Sequence, residues 1–155
     1  MQPTTPHPQE PTAGYFEDGE HRLPVRVYYE DTDFTGIVYH ASYVRYFERG
    51  RSDCLRLAGV GHAELAAGAR PTAFALLRLE IDFLRAARID EALVVRTRYL
   101  RVRGPRMFVA QSIWRGAEPI ARADVIVASI GMDGRAARPS KSLLDAVAPL
   151  LSEAP

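Results

Sequence analysis

Residues 29–43 of this 155-residue chain read YEDTDFTGIVYHASY. Three carboxylates, Glu30, Asp31 and Asp33, precede a glycine, and His40 follows seven positions after the last acid. Asp33 lies three residues before Gly36, where a flexible backbone can turn toward whatever follows. A carboxylate so placed has two chemical uses: general base for a water molecule, or nucleophile forming a mixed anhydride. His40 offers a second polar group on the same short segment, able to donate to a carbonyl or to orient water. The alternative is structural. Asp31, Thr32 and Asp33 are common turn residues that bond to local backbone, and a histidine at such a position also serves in capping or packing. The acids match no metal-ligand motif and lack the further acids of a calcium loop.

The flanking pattern decides what could position these groups. Upstream, LPVRVYYE over Leu23–Glu30 has the β-branched and aromatic content of a strand, with Pro24 near its start. Downstream, Tyr43, Phe47, Gly50, Cys54 and Leu57 recur every three or four residues, and Arg45, Glu48, Arg49, Asp53 and Arg56 occupy the other faces. This predicts an amphipathic helix of about five turns over 41–58, stopped by Gly59. The acidic loop therefore joins a strand to a helix N-terminus, where free amides and the helix dipole favour developing negative charge on oxygen. Amides near Tyr39, His40 and Ala41 are placed to stabilise an oxyanion, a contribution of ~10²–10³ in rate per donor. Gly50 is unusual inside a helix, since glycine costs about 1 kcal/mol relative to alanine. A close approach of a sheet would explain it, as would simple tolerance.

Beyond a short helical piece around His62–Ala67, the period changes to two. Leu77–Phe83 alternates strictly, and further strands are predicted over Ala92–Val102, Met107–Trp114 and Ile120–Met132. Gly104-Pro105 and the GAEP segment at 116–119 separate them as tight turns, which makes the neighbours antiparallel. Ser140 caps a predicted last helix over Lys141–Leu151. One strand, a long helix, a four-stranded meander and a short helix make a two-layer α+β domain over 21–155. Residues 1–20 hold four of the 11 prolines and few aliphatic side chains, which reads as a flexible tail.

The bulk numbers narrow the function classes. With 20 basic and 19 acidic residues, the net charge of +1 is too balanced for a general nucleic-acid binder. No apolar run approaches the ~18 residues of a spanning helix, so no membrane insertion is expected. The single cysteine, Cys54, cannot form an intramolecular disulfide and sits on the apolar helix face, and no signal-peptide pattern precedes it. A cytoplasmic location is the expectation. Glu48 reads as a salt-bridge partner of Arg45 or Arg51. His7, His21 and His62 read as structural or solvent-exposed. No Gly-x-Ser-x-Gly elbow is present, so a serine hydrolase of that type is not expected.

The stretch VRVYYEDTDFTGIVYHASYVRYFERGRSDCLR, residues 25–56, resembles the signature of the hotdog-fold acyl-CoA thioesterases related to 4-hydroxybenzoyl-CoA thioesterase. It most closely resembles their Tol–Pal-associated, YbgC-like branch, and the likeness extends more loosely to the RPSK segment. The resemblance implies an antiparallel sheet wrapped around a long central helix, in a homodimer or homotetramer with active sites at the subunit interface. It implies hydrolysis of an acyl-CoA to free acid and coenzyme A, with no cofactor beyond the coenzyme A of the substrate. By position it makes Asp33 the catalytic carboxylate and His40, beside Tyr39, the polar group at the helix start that polarises the thioester carbonyl. By looser alignment, Arg103, Arg106 and Arg138 fall where relatives hold coenzyme A phosphates. The alternatives are a hydratase or dehydratase of the same fold, and a non-catalytic scaffold binding an acyl-thioester or an acyl carrier protein.

Overall fold

The computed structural model describes residues 13–153. Its centre is a six-stranded antiparallel sheet in the order β1-β2-β4-β5-β6-β3, formed by β1 Tyr15–Glu17, β2 Glu20–Arg26, β3 Thr72–Phe83, β4 Ala92–Arg103, β5 Arg106–Arg115 and β6 Glu118–Gly131. Strands β4 to β6 form a three-stranded meander. β3, expected as a fourth member beside β4, instead pairs with β6 at the far edge, because the chain crosses over before β4 rather than turning tightly into it. Gly104 and Gly116 carry the left-handed φ values of 56° and 58° that the tight turns need. Helix α1, His40–Leu57, connects β2 on one side of the meander to β3 on the other and lies across the sheet between them. Helix α2, His62–Ala67, follows it, and α3, Lys141–Val147, closes the chain with Ser140 accepting from the Leu143 amide as its cap. This is the α+β hotdog arrangement expected above.

The core lies between α1 and the alternately buried face of β4, β5 and β6. Tyr46, Phe47, Cys54 and Leu55 meet Val95, Tyr99, Met107, Val109, Ile113 and Val125 there, all buried. A polar strut runs through it: Gln111 Nε2 donates to the Phe47 carbonyl and to Thr97 Oγ1, both at 2.9 Å, and Arg51 Nη1 donates to Gln111 Oε1 at 2.9 Å. Buried amides of this kind stabilise only when paired, and Gln111 is paired at both ends. The opposite sheet face carries Arg96 over the Trp114 ring and Arg101 over the Phe108 ring.

Four boundaries differ from expectation. The strand expected over Leu23–Glu30 is β2, which starts earlier and ends at Arg26, and Tyr29–Asp31 close into a single 3₁₀ turn where the Asp31 carboxylate accepts from the Tyr28 amide. The part of the 1–20 tail that the structure describes is not tail: β1 pairs with β2 across an Asp18-Gly19 turn whose φ values are 52° and 72°. Aromatic residues and a turn dipeptide build this hairpin without aliphatic side chains, and Asp53 holds it by accepting from the Gly14 amide at 2.8 Å and bonding His21 Nε2 at 2.7 Å. Residues 1–12, His7 among them, lie outside the described residues. The first strand of the meander side, β3, begins at Thr72 rather than Leu77, paired throughout with β6. The last helix stops at Val147 and tightens into a 3₁₀ turn over Ala148–Leu150, because Pro149 has no N–H to continue the α-helical ladder.

Candidate active site

The acidic loop folds as a miniature hairpin rather than an open linker. The Asp33 amide donates to Ile37 O at 2.8 Å, Gly36 N donates back to Asp33 O at 3.0 Å, and Tyr39 N donates to Asp31 O at 2.8 Å. Gly36 carries φ 81°, a left-handed conformation that glycine adopts without strain. The loop is also fastened sideways, since Val38 N donates to Ala87 O at 2.8 Å and Ile37 bridges to Arg88. Its acids thus do different jobs. Asp31 is buried at the hairpin base, Glu30 is exposed, and Asp33 sits at the turn facing a groove.

Asp33 fits the turn reading and also borders the groove. Its Oδ1 accepts from Thr35 N at 2.7 Å and Thr35 Oγ1 at 2.6 Å, and no described residue bonds Oδ2. The Thr35 hydroxyl, followed by the Thr35 amide, holds the Asp33 carboxyl below its ordinary pKa, because these donors favour the charged form. The turn therefore fixes the rotamer and the ionised state while leaving one oxygen free.

His40 opens α1, with Tyr39 as the N-cap residue. No side chain caps this helix, and the His40 and Ala41 amides have no acceptor among the described residues; the Ser42 amide turns back to Tyr39 O at 2.8 Å. Asp33 and His40 line one groove of about 400 Å³, walled by Val38, Tyr43, Phe83 and Leu84. The Asp33 carboxylate and the residue that opens α1 thus border a common space. Tyr39 is exposed beside the groove, its ring 4.3 Å from the His40 ring centroid at a 52° tilt.

The three arginines lie elsewhere. Arg103 and Arg106 face each other at the β4–β5 turn. Ala137 N donates to Ser129 O, and Ser129 N to Pro105 O, which brings the segment before Arg138 against the same turn. Ser129 pairs with Phe74 and Gly131 with Thr72, so this cluster sits at the start of β3, whereas Asp33 and His40 sit by Phe83 at its end. Arg106 is level with Ala128 and so with Ala75, and the eight steps of extended strand from there to Phe83, roughly 27 Å, separate the two within one chain.

Phe83, Leu84 and Arg85, which line the groove, and Thr35, which holds the Asp33 carboxylate, escaped the sequence reading. A D-x-T spacing was the available signal for Thr35; the others reach the site only through sheet pairing. Glu48, expected in a salt bridge, has no ion pair among the described residues and accepts instead from Ser52 Oγ, which also bonds His62 Nε2 at 2.8 Å. The Arg51 guanidinium donates to Gln111 instead. Among the described residues no cluster of acids, histidines and cysteine has metal-binding geometry, and no helix is long and apolar enough to cross a membrane.

A family model described as the thioesterase superfamily matches residues 35–121, a span that includes His40 and starts two residues after Asp33. The acyl-CoA thioesterase YbgC of Haemophilus influenzae is 37% identical over 115 residues, covering 74% of this chain and 84% of that protein. The acyl-CoA thioester hydrolase YbgC of Escherichia coli O157:H7 is 40% identical over 92 residues, covering 59% and 67%. Among solved structures, a probable thioesterase from Bartonella henselae superposes with a TM-score of 0.76 at 41% identity, covering 78% of this chain and 99% of that one. A 1,4-dihydroxy-2-naphthoyl-CoA thioesterase from Synechocystis, at 20% identity and a TM-score of 0.77 over 84% of this chain and 96% of that one, shares the fold.

Proposed function

The chain belongs to the thioesterase superfamily, and from that premise we propose that it hydrolyses acyl-CoA thioesters to a free carboxylic acid and coenzyme A, with Asp33 and the start of α1 as the catalytic centre. One observation carries the assignment of the centre: Asp33 and His40, the first residue of a helix that no side chain caps, line the same groove. A thioester carbonyl has little of the resonance stabilisation of an ester, so a carboxylate and a helix N-terminus suffice without a serine nucleophile.

The thioester carbonyl oxygen sits at the helix start. As general base, Asp33 takes a proton from the water that attacks the carbonyl carbon; as nucleophile, it attacks directly and water cleaves the resulting anhydride. In both schemes negative charge gathers on the carbonyl oxygen, where the His40 and Ala41 amides and the helix dipole stabilise it. Collapse breaks the C–S bond, and the coenzyme A sulfur leaves as a thiolate that takes up a proton. Coenzyme A enters as part of the substrate.

The working unit in this reading is a cytoplasmic homodimer. Strand β3 ends the sheet with its outer edge unpaired among the described residues, and Leu76, Leu77, Phe83 and Leu84 are exposed along it. An uncovered apolar edge of this kind invites a second strand. A two-fold axis through that edge runs the partner strand antiparallel, setting the partner's Arg103, Arg106 and Arg138 beside this chain's Phe83 and Asp33. Coenzyme A phosphates then meet arginines of one subunit while the thioester meets Asp33 of the other. An acyl carrier protein presents the same thioester arm and is the alternative acyl donor.

The test is thiol release from a panel running from acetyl-CoA to palmitoyl-CoA plus benzoyl-CoA, by the wild type and by Asp33→Asn. The asparagine keeps the shape of the side chain and removes base and nucleophile, so kcat falls steeply while substrate binding is retained. Absence of thiol release from every member by folded wild-type protein refutes the assignment; a hydrated acyl-CoA product would identify hydratase chemistry in its place.

A further inference from the structure

The first acid of the DTD triplet touches no part of the groove, yet it is the most heavily engaged residue of the loop. Asp31 is buried. Its carboxylate Oδ2 accepts from Tyr28 N at 2.8 Å, where the chain leaves β2. Its carbonyl accepts from Tyr39 N at 2.8 Å and from Ser42 Oγ at 3.1 Å, the N-cap residue and the first turn of α1. The Tyr46 hydroxyl, on the next turn of α1, is fully buried and has no hydrogen-bond partner among the described residues. It faces the Asp31 carboxylate, and burial together with that neighbouring negative charge keeps the phenol protonated.

From this geometry we propose that Asp31, buttressed by Tyr46, is a positioning residue that sets the distance between the Asp33 carboxylate and the amides at the start of α1. The argument rests on the loop's construction. Asp33 rides on a miniature hairpin whose two legs are residues 31–33 and 37–39, and the base of that hairpin is the Asp31 to Tyr39 hydrogen bond. Tyr39 is also the N-cap of α1, so one peptide joins the carboxylate's support to the amides' support. The carboxylate of Asp31 fixes the other end by holding Tyr28. The Tyr46 ring lies behind it, packed in the core and edge-on to Tyr43, which lines the groove itself. A shift of Asp31 therefore moves Asp33 relative to the helix start without touching either, and misplacement of a reacting group by ~1 Å costs about 100-fold in rate.

This inference rests on the proposed thioesterase activity, and the experiment separates the two. Steady-state kinetics on the best acyl-CoA substrate are measured for wild type, Asp31→Asn, Tyr46→Phe, Asp33→Asn and the Asp31→Asn/Asp33→Asn double variant, with thermal melting of each. Tyr46→Phe removes one hydroxyl from a packed ring and keeps the fold testable. The expected result is a loss of kcat of about 10- to 100-fold for Asp31→Asn and a smaller loss for Tyr46→Phe, with KM close to wild type. In the Asp33→Asn background the Asp31 change costs little more, because a positioning residue has nothing left to position. A purely structural role predicts something else: losses that multiply in the double variant, or that follow the melting temperature. Either pattern overturns the proposal, as does full kcat in both single variants. An inactive wild type instead refutes the thioesterase reading.

Discussion

Gly50 meets Val95 so closely that a Cβ on the glycine would stand 2.8 Å from Val95 Cγ1, and 2.9 Å from Thr97 Oγ1. The helix can cross β4 at this depth only where it carries no side chain. Gly50→Ala is expected to destabilise the protein. Alanine gains about 1 kcal/mol of helix propensity, but overpacking against a branched side chain in a sheet costs about 1–3 kcal/mol and disturbs the Gln111 strut. Urea unfolding should show a lower midpoint with unchanged slope; a higher midpoint would mean the crossing can relax.

Thr35 sets the acid limb of the activity profile if Asp33 is the catalytic carboxylate. Its hydroxyl is the first cause of the lowered Asp33 pKa. In Thr35→Ala the amide donor remains and the hydroxyl is lost, so the pKa rises toward its ordinary value of 3.8. The acid limb of kcat/KM, which reports the free enzyme, should move to higher pH by the same amount. An unmoved limb would assign it to another group.

His21 makes stability depend on pH. The ring is fully buried against Asp53, and burial lowers its pKa from 6.5 more than the Asp53 carboxylate raises it. Unfolded chains take up a proton near pH 6.5, while the folded protein resists until lower pH. Stability from this group is therefore complete above 6.5 and is lost as pH falls from there through the folded value. Denaturation midpoints measured between pH 7.5 and 5 should decline in the wild type, at up to about 1.4 kcal/mol per pH unit from this one group. His21→Gln should flatten that decline.

The β3 edge is the proposed dimer contact. Leu77→Arg places a charge on the exposed stretch without entering the core. Light scattering after size exclusion should give a dimer mass for the wild type and a monomer mass for the variant, with thiol release lost in parallel. A wild type that is monomeric and active would sink the shared-site arrangement.

Much of this architecture is legible in the residue pattern. The three-and-four spacing from Tyr43 to Leu57 marks α1, strict alternation marks β3, and the glycine turns mark the meander. That Asp33 and His40 come together at one groove is legible by the same means, because their loop and helix start are contiguous in sequence. What escapes comes from long-range pairing. Phe83, Leu84 and Arg85 join the groove only because the end of β3 is carried there by β6. The β1–β2 hairpin escapes because its anchor is Asp53, a helix residue whose spacing reads as solvent-facing. Glu48 misleads for the opposite reason: its local spacing fits an ion pair with Arg51, which the sheet claims through Gln111.

Cys54 has a use unrelated to catalysis. It is the chain's one cysteine, fully enclosed in the core, and burial pushes its pKa up to about 12. A thiol-directed dye in solution finds nothing to react with until α1 lifts from the sheet. The rate of labelling thus counts openings of the molecule, giving the protein a built-in clock for its own breathing that needs no engineered reporter.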